Sequence, residues 1–499
     1  MRKYRVELLF VIAGVIIVGL LLFLQDLRYA SYHKEPLASV IGVPLDDVYI
    51  HCRYAANLLA GNGYCFNLGP IVTADTSPLW VLLLAVGGLF TSQIDIVAVV
   101  LSSLFYLFTA PTNYRLALSL GLDKRWSIFI GICTLLAARI VWSAPSGMEI
   151  TLACLLTILA IKVHVDSQKR GKPTALEAIL LAFAIATRPE LMFLAGLCFV
   201  DWVLLLGRTS KTYKSLALPS VFFFLVVSPV YILPLIETGS LVYHSSIVQG
   251  AGISLLPNVT YLWFACKILL FSVAPPVIVA LLSPVLLWKE HKWRLLIVFG
   301  LGLPILLSFV APQFRHHGRY FFPVMPILIV VGTAVLASLL SKEYIKKYIW
   351  CVQIALLCFA LVGAGIWANN YQDCVANINE QHVAASEWIE KNAKEGDVIA
   401  AHDVGAIGYF TKKNVIDLVG LVSPDMYTVQ NNQKEVWRMA REQGANLFFI
   451  YTRLNPSFYE YAKDSLELVA EWRVTPPLIA SADTVFSCFR VKGAANASR

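Results

Sequence analysis

Charge is what this chain has least of. Asp, Glu, Lys and Arg make up 14% of its 499 residues and hydrophobic residues 58%, whereas soluble domains carry roughly 25% charged residues. A soluble globular protein is excluded, and a polytopic membrane protein follows. The charges present sum to +8 but form no basic stripe and no aromatic-interleaved basic patch, so nucleic acid is excluded as a partner. No CxxC, HExxH or other metal-ligand spacing occurs, and no GxSxG elbow; the site therefore has no dedicated metal motif. The two halves show no internal repeat, which argues against a transporter. The first apolar run, Leu8 to Leu24, follows Arg2, Lys3 and Arg5 but lacks a small-residue cleavage site. It reads as a retained anchor with a cytoplasmic N-terminus.

What is present is a row of apolar segments separated by short basic clusters: Arg2/Lys3/Arg5, Lys124/Arg125, Lys169/Arg170/Lys172, Arg208/Lys211/Lys214, Lys289/Lys292/Arg294 and Lys342/Lys346/Lys347. Positive charge marks the cytoplasmic side. Keeping every cluster there gives about 11 spans, near 8–24, 95–116, 127–143, 149–166, 174–188, 190–207, 216–236, 262–288, 295–311, 321–340 and 348–368. Leu79 to Phe90, about 12 residues, is too short to cross and reads as interfacial or re-entrant. Parity then puts the chain from Asn369 onward outside. The expected organisation is a transmembrane domain over 1–368, with an outer loop at 26–78, and an extracytoplasmic α/β domain over 369–499. In that tail His382–Asn392 and Glu435–Gln443 have helical spacing. Asp397–Ala401, Asn414–Val419, Asn446–Tyr451 and Thr484–Val491 read as strands. Gly405 and Gly408 in "HDVGAIGYF" read as a tight turn between strands.

The remaining polar stretches share the outer face: Asp46-Asp47 with the loop to Pro78, Ser146-Gly147-Met148-Glu149, Arg188-Pro189-Glu190, and Arg315 to Tyr320. Ionisable groups at span ends can snorkel. Four such loops on one side nonetheless look like one polar site at the membrane surface. Asp46 sits where a helix N-cap belongs, and Asp47 favours the positive helix end. Neither role explains Arg53, seven residues on from Asp46 and on the same helical face. Adjacent carboxylates point about 100° apart and take separate roles unless a divalent ion bridges them, so the need for a cofactor is left open. So is a Cys52–Cys65 bridge.

"DDVYIHCRYAANLLAGNGYCFNLGP" followed by "TSPLW" resembles the first outer loop of GT-C class glycosyltransferases, in particular the family of mycobacterial terminal arabinofuranosyltransferases. The likeness continues through "SGMEITL", "ATRPE", "HHGRYFFPVMP" and "DVGAIGYF…NVIDLVGLVSPD". It implies inverting transfer of a sugar from a polyprenyl-phosphate donor to an envelope glycan or glycolipid acceptor, on the outer face of a bacterial inner membrane. By that resemblance Asp46 or Asp47 is the base, or orients the acceptor, and Arg53 matches the Arg of the R-Y-A element. Displacing a phosphate from an anomeric carbon needs a base and cations for the leaving group. Candidates for the cations are Arg53, Arg188, His316, His317 and Arg319, with Arg139 behind them. Tyr320 is a further substrate contact, and Glu149 and Glu190 could hold sugar hydroxyls. Asp46 is favoured as base by sharing a face with Arg53. "IVTADTSPLW" departs from the family's R-V-E-G-Y-(T/S)-(N/S)-P-L-W, and the missing Glu and Tyr bear on which sugar or acceptor is used. The competing classes are a flippase or exporter of lipid-linked sugars and a non-catalytic scaffold of an envelope-assembly complex.

Overall fold

The computed structural model describes residues 4–33, 42–69, 71–207, 210–239, 241–248, 250, 252, 254–273, 275–310, 316–341 and 348–493. Among these, eight helices are long and apolar enough to cross a membrane: Arg5–Leu27, Ile94–Ser119, Ile150–Lys169, Pro189–Leu206, Lys214–Glu237, His291–Val310, Gly318–Leu339 and Ile349–Asn392. The chain is an integral, multi-pass membrane protein. The other three expected spans are shorter or broken. The 127–143 segment divides into Lys124–Leu135 and Ala138–Ser143, and 262–288 into Val259–Val273, Pro275–Ala280 and Ser283–Leu286. In the second case Pro275, Pro276 and Pro284 supply no backbone N–H to continue the ladder. The 174–188 segment is the 13-residue helix Ala175–Thr187, about 20 Å long at 1.5 Å per residue against a hydrocarbon core of ~30 Å.

Two compact units emerge. The first comprises Met1–Leu21, Val100–Tyr231 and Gly250–Asn369; the second comprises Leu22–Val99, Ile232–Gln249 and Asn370–Arg499. The composition change at Asn369 falls on a boundary between them. The first loop packs in the same unit as the tail.

The tail is an α/β domain. Its strands are β1 (Ile399–Ala401), β2 (Val415–Asp417), β3 (Leu447–Ile450), β4 (Leu466–Arg473) and β5 (Val485–Val491), in the order β2-β1-β3-β5-β4. β2, β1 and β3 run parallel, and β5 pairs antiparallel with both β3 and β4. The buried strands β1 and β3 are continuously apolar, as a sheet covered on both faces requires. β4 escapes the sequence pattern because its side chains are mostly solvent-facing, with Glu467 and Glu471 among them.

The Gly405–Gly408 stretch is a helix, Gly405–Thr411, not a turn. Both glycines answer to close packing. A Cβ on Gly405 would lie 2.2 Å from the Asp46 carbonyl oxygen, and one on Gly408 would lie 2.4 Å from the Phe66 ring.

Candidate functional site

In the second unit the first-loop signature builds a joint with the tail. The helix Asp47–Leu59 carries Tyr49 against Tyr409 and Phe410, at ring-centroid distances of 5.7 and 5.0 Å. Arg53 is 4% exposed, and its guanidinium donates to the carbonyls of Phe66 and Lys412, each at 3.0 Å. Asn57 donates to the Cys65 and Phe66 carbonyls at 2.9 and 2.8 Å. Asn67 exchanges two 2.9 Å hydrogen bonds with the backbone of Val415, closing the exposed edge of β2. Cys52 and Cys65 are separate buried thiols.

Asp46 is an N-cap by position, yet its side chain makes no cap bond to its own helix. It caps another. Its Oδ2 accepts from Gly405 N at 2.7 Å and its Oδ1 from Ala406 N at 2.9 Å, at the start of the Gly405–Thr411 helix. The shared helical face therefore does not join Asp46 to Arg53, because each is drawn to a different part of the tail. Burial pushes the Asp46 carboxyl up to about 6; the charge of His382 opposes the shift, Asp403 adds to it, and the two amide hydrogen bonds oppose it. Asp47 opens the helix at its positive end and is half-buried.

The order β2-β1-β3 makes the carboxyl ends of β1 and β3 the point where the parallel connections turn to opposite sides, the position at which open α/β sheets bind ligands. His402 and Asp403 leave β1 there, and Tyr451 leaves β3. Asp403 Oδ2 is 2.9 Å from His382 Nε2 and accepts from the Tyr451 hydroxyl at 2.8 Å. Burial pushes the Asp403 carboxyl up, but His382 and Tyr451 outweigh it and hold it below its usual value. His382 lies in a π-helical turn, Asn379–Val383, an irregularity frequent at functional sites. Sequence reasoning missed these three residues; three separated elements bring them together, and no spacing could have signalled it. It also missed the use of the divergent "VTAD" stretch. Asp75 Oδ2 meets His51 Nδ1 at 2.5 Å, and Thr73 N donates to Glu237 at 2.6 Å.

In the first unit three of the expected loops converge. Arg188 lies between two carboxylates: it pairs with Glu149, and its Nε is 2.5 Å from Glu190. Its guanidinium also sits over the Tyr320 ring at 4.8 Å, and that of Arg319 lies 5.9 Å from the same ring. Arg139 stacks on Trp367 at 3.4 Å and reaches Phe322 at 5.9 Å. Arg139, Glu149, Arg188 and Arg319 are all buried. Aromatic faces stack against all three guanidinium groups. The side chains of His316 and His317 lie outside the described residues.

Residues 376–489 match a domain of unknown function (DUF8728). No protein of curated function matches the chain by sequence. Among solved structures, the apo oligosaccharyltransferase of Archaeoglobus fulgidus superposes with a TM-score of 0.62 at 11% identity, covering 97% of this chain and 76% of that one. ArnT from Cupriavidus metallidurans bound to undecaprenyl phosphate gives 0.61 at 12% identity, covering 98% of each chain. The archaeal enzyme AglB in complex with an inhibitory peptide and a dolichol-phosphate gives 0.62 at 11%, covering 95% and 75%. The chain has the GT-C-like fold that its sequence resemblance implies.

Proposed function

We propose that this protein transfers a sugar, with inversion, from a polyprenyl-phosphate donor to an envelope glycan or glycolipid on the outer face of the membrane. Support comes from the fold shared with enzymes solved in complex with undecaprenyl phosphate and dolichol-phosphate. The observation that carries the assignment of roles is the seating of both Asp46 oxygens on the Gly405 and Ala406 amides. A base must offer a lone pair to the acceptor hydroxyl, and each Asp46 oxygen already has one lone pair committed to a tail amide, which gives that carboxylate a holding role.

In this reading Asp47 is the base and Asp46 a positioning residue. Asp47 takes the hydroxyl proton as the acceptor oxygen attacks the anomeric carbon from the face opposite the phosphate. The C–O bond to phosphate breaks, and the leaving group departs with the electron pair. Within the first unit, Arg188 holds Glu149 and Glu190 in place. Arg53, buried against two carbonyls, positions the loop.

Mass spectrometry of envelope glycans from cells with and without the protein tests this reading. Loss of one terminal sugar without the protein supports it; identical glycans with accumulation of unflipped lipid-linked precursor would assign the protein to export instead.

A further inference from the structure

A second polar cluster lies at the opposite ends of the same first-unit helices. The helix Ile150–Lys169 begins beside Glu149 and carries His164 near its far end; Ala175–Thr187 carries Glu177 and ends at Arg188; Met192–Leu206 follows Glu190 and carries Cys198 and Asp201. His164 and Glu149 are 15 residues apart in sequence, about 22 Å along a helix. These far ends border the basic clusters at 169–172 and 208–214, on the side that positive charge marks as cytoplasmic.

We propose that His164, Glu177 and Cys198 bind a divalent transition-metal ion, Zn²⁺ by ligand chemistry. Their ligand atoms lie within 4.8 Å of one another, and the residues are 1%, 3% and 1% exposed. Nitrogen, carboxylate and thiolate donors together suit Zn²⁺, which takes three protein ligands and a fourth position in tetrahedral sites. Two further observations point to an ion. Glu177 Oε2 is buried without a hydrogen-bond partner among the described residues, while Oε1 accepts from Trp202 Nε1 at 2.8 Å. The second is an outer carboxylate on the imidazole. His164 Nε2 lies 2.9 Å from Asp201 Oδ2, and Asp201 Oδ1 lies 3.1 Å from His291 Nε2. A metal-ligating histidine commonly donates its other N–H to such a carboxylate.

The remaining nitrogen, Nδ1, faces Glu177 Oε1 at 2.6 Å. Ligand bonds of about 2.0 Å would part these two atoms by several tenths of an ångström. Zn²⁺ with one thiolate and one carboxylate carries no net charge within its ligand set, and the Asp201 carboxylate beside it is met by His291. The ion staples three helices at one end while their other ends present Glu149, Arg188 and Glu190. The site is independent of the sugar-transfer reading.

The full chain, purified in detergent, is stripped with chelator, loaded with Zn²⁺ or Co²⁺ and desalted. Elemental analysis should find about one Zn²⁺ per wild-type chain, falling at least tenfold in Cys198→Ser and Glu177→Gln. Co²⁺-loaded wild type should show thiolate-to-metal charge-transfer absorption that Cys198→Ser lacks. The wild-type measurement stands even if a variant does not fold. Less than a tenth of an ion per monodisperse wild-type chain, or a thiolate band that survives in Cys198→Ser, would overturn the proposal; the cluster would then be an imidazolium held between carboxylates.

Discussion

Two carboxylates open helices in the two units, and their company separates them. Asp46 meets neutral partners, the amides of Gly405 and Ala406, and its carboxyl is pushed up to about 6 by burial. Glu149, which precedes the helix Ile150–Lys169, meets the permanently charged guanidinium of Arg188. Burial leaves Asp46 able to exchange a proton near neutral pH, whereas Glu149 is held in a buried ion pair. Proton-dependent behaviour is therefore expected in the first loop, and ion pairing in the Arg188 cluster.

The comparison breaks most directly at Asp47. Asp47→Asn keeps shape and helix-end hydrogen bonding but removes the proposed base, so kcat should fall ~10²- to 10⁴-fold with normal protein accumulation. Asp46→Asn keeps one acceptor for the tail amides and should fall less. Steady-state rates of the two variants decide the roles, and equal losses would merge them.

The Arg188 cluster should fail by stability instead. Arg188→Ala leaves Glu149 and Glu190 facing each other without their cation, at a cost of about 3–5 kcal/mol for a broken buried pair. A drop in thermal midpoint in detergent checks this. An unchanged midpoint with lost turnover would make Arg188 a substrate contact.

A smaller effect tests the joint. Gly405→Ala drives a methyl into Asp46, and overpacking typically costs 1–3 kcal/mol. Protease sensitivity of the tail should rise, with turnover reduced far less than in Asp47→Asn.

The smallest effect is the pH dependence, where activity and stability should diverge. Asp46 rises from 3.8 to about 6, so its contribution to stability is fully present below about 4 and lost as pH rises through about 6. Activity should run the other way: protonation below about 6 removes the charge that both amides contact, and kcat/KM should decline there without unfolding by this group. In Asp46→Asn that limb of the profile should flatten.

The span ends and the α/β tail were legible because apolar runs, basic clusters and strand patterns are local signals. Three expected spans are not long continuous helices: hydropathy registers neither the prolines that interrupt 262–288 nor that the 13 residues of Ala175–Thr187 fall short of a bilayer, and 127–143 divides at Leu136 and Ala137 without a proline. Arg53 and Asp46 were legible as a pair on one helical face but not in their purpose, since Lys412 and Gly405 lie some 359 residues away in sequence. For the same reason His382, Asp403 and Tyr451, and likewise His164, Glu177 and Cys198, carry no spacing that a motif could capture.

The central claim is lipid-phosphate-dependent sugar transfer by the first-loop carboxylates. It is tested most directly in proteoliposomes containing wild type or the Asp46→Asn/Asp47→Asn double variant, supplied with a polyprenyl-phosphate sugar and an envelope glycolipid. Product is read by mass spectrometry, and donor binding by equilibrium retention of the labelled lipid. The account predicts inverted glycoside and free polyprenyl phosphate from wild type, and a double variant that binds donor but forms product at least 100-fold more slowly. A double variant that turns over at near wild-type rate would contradict it.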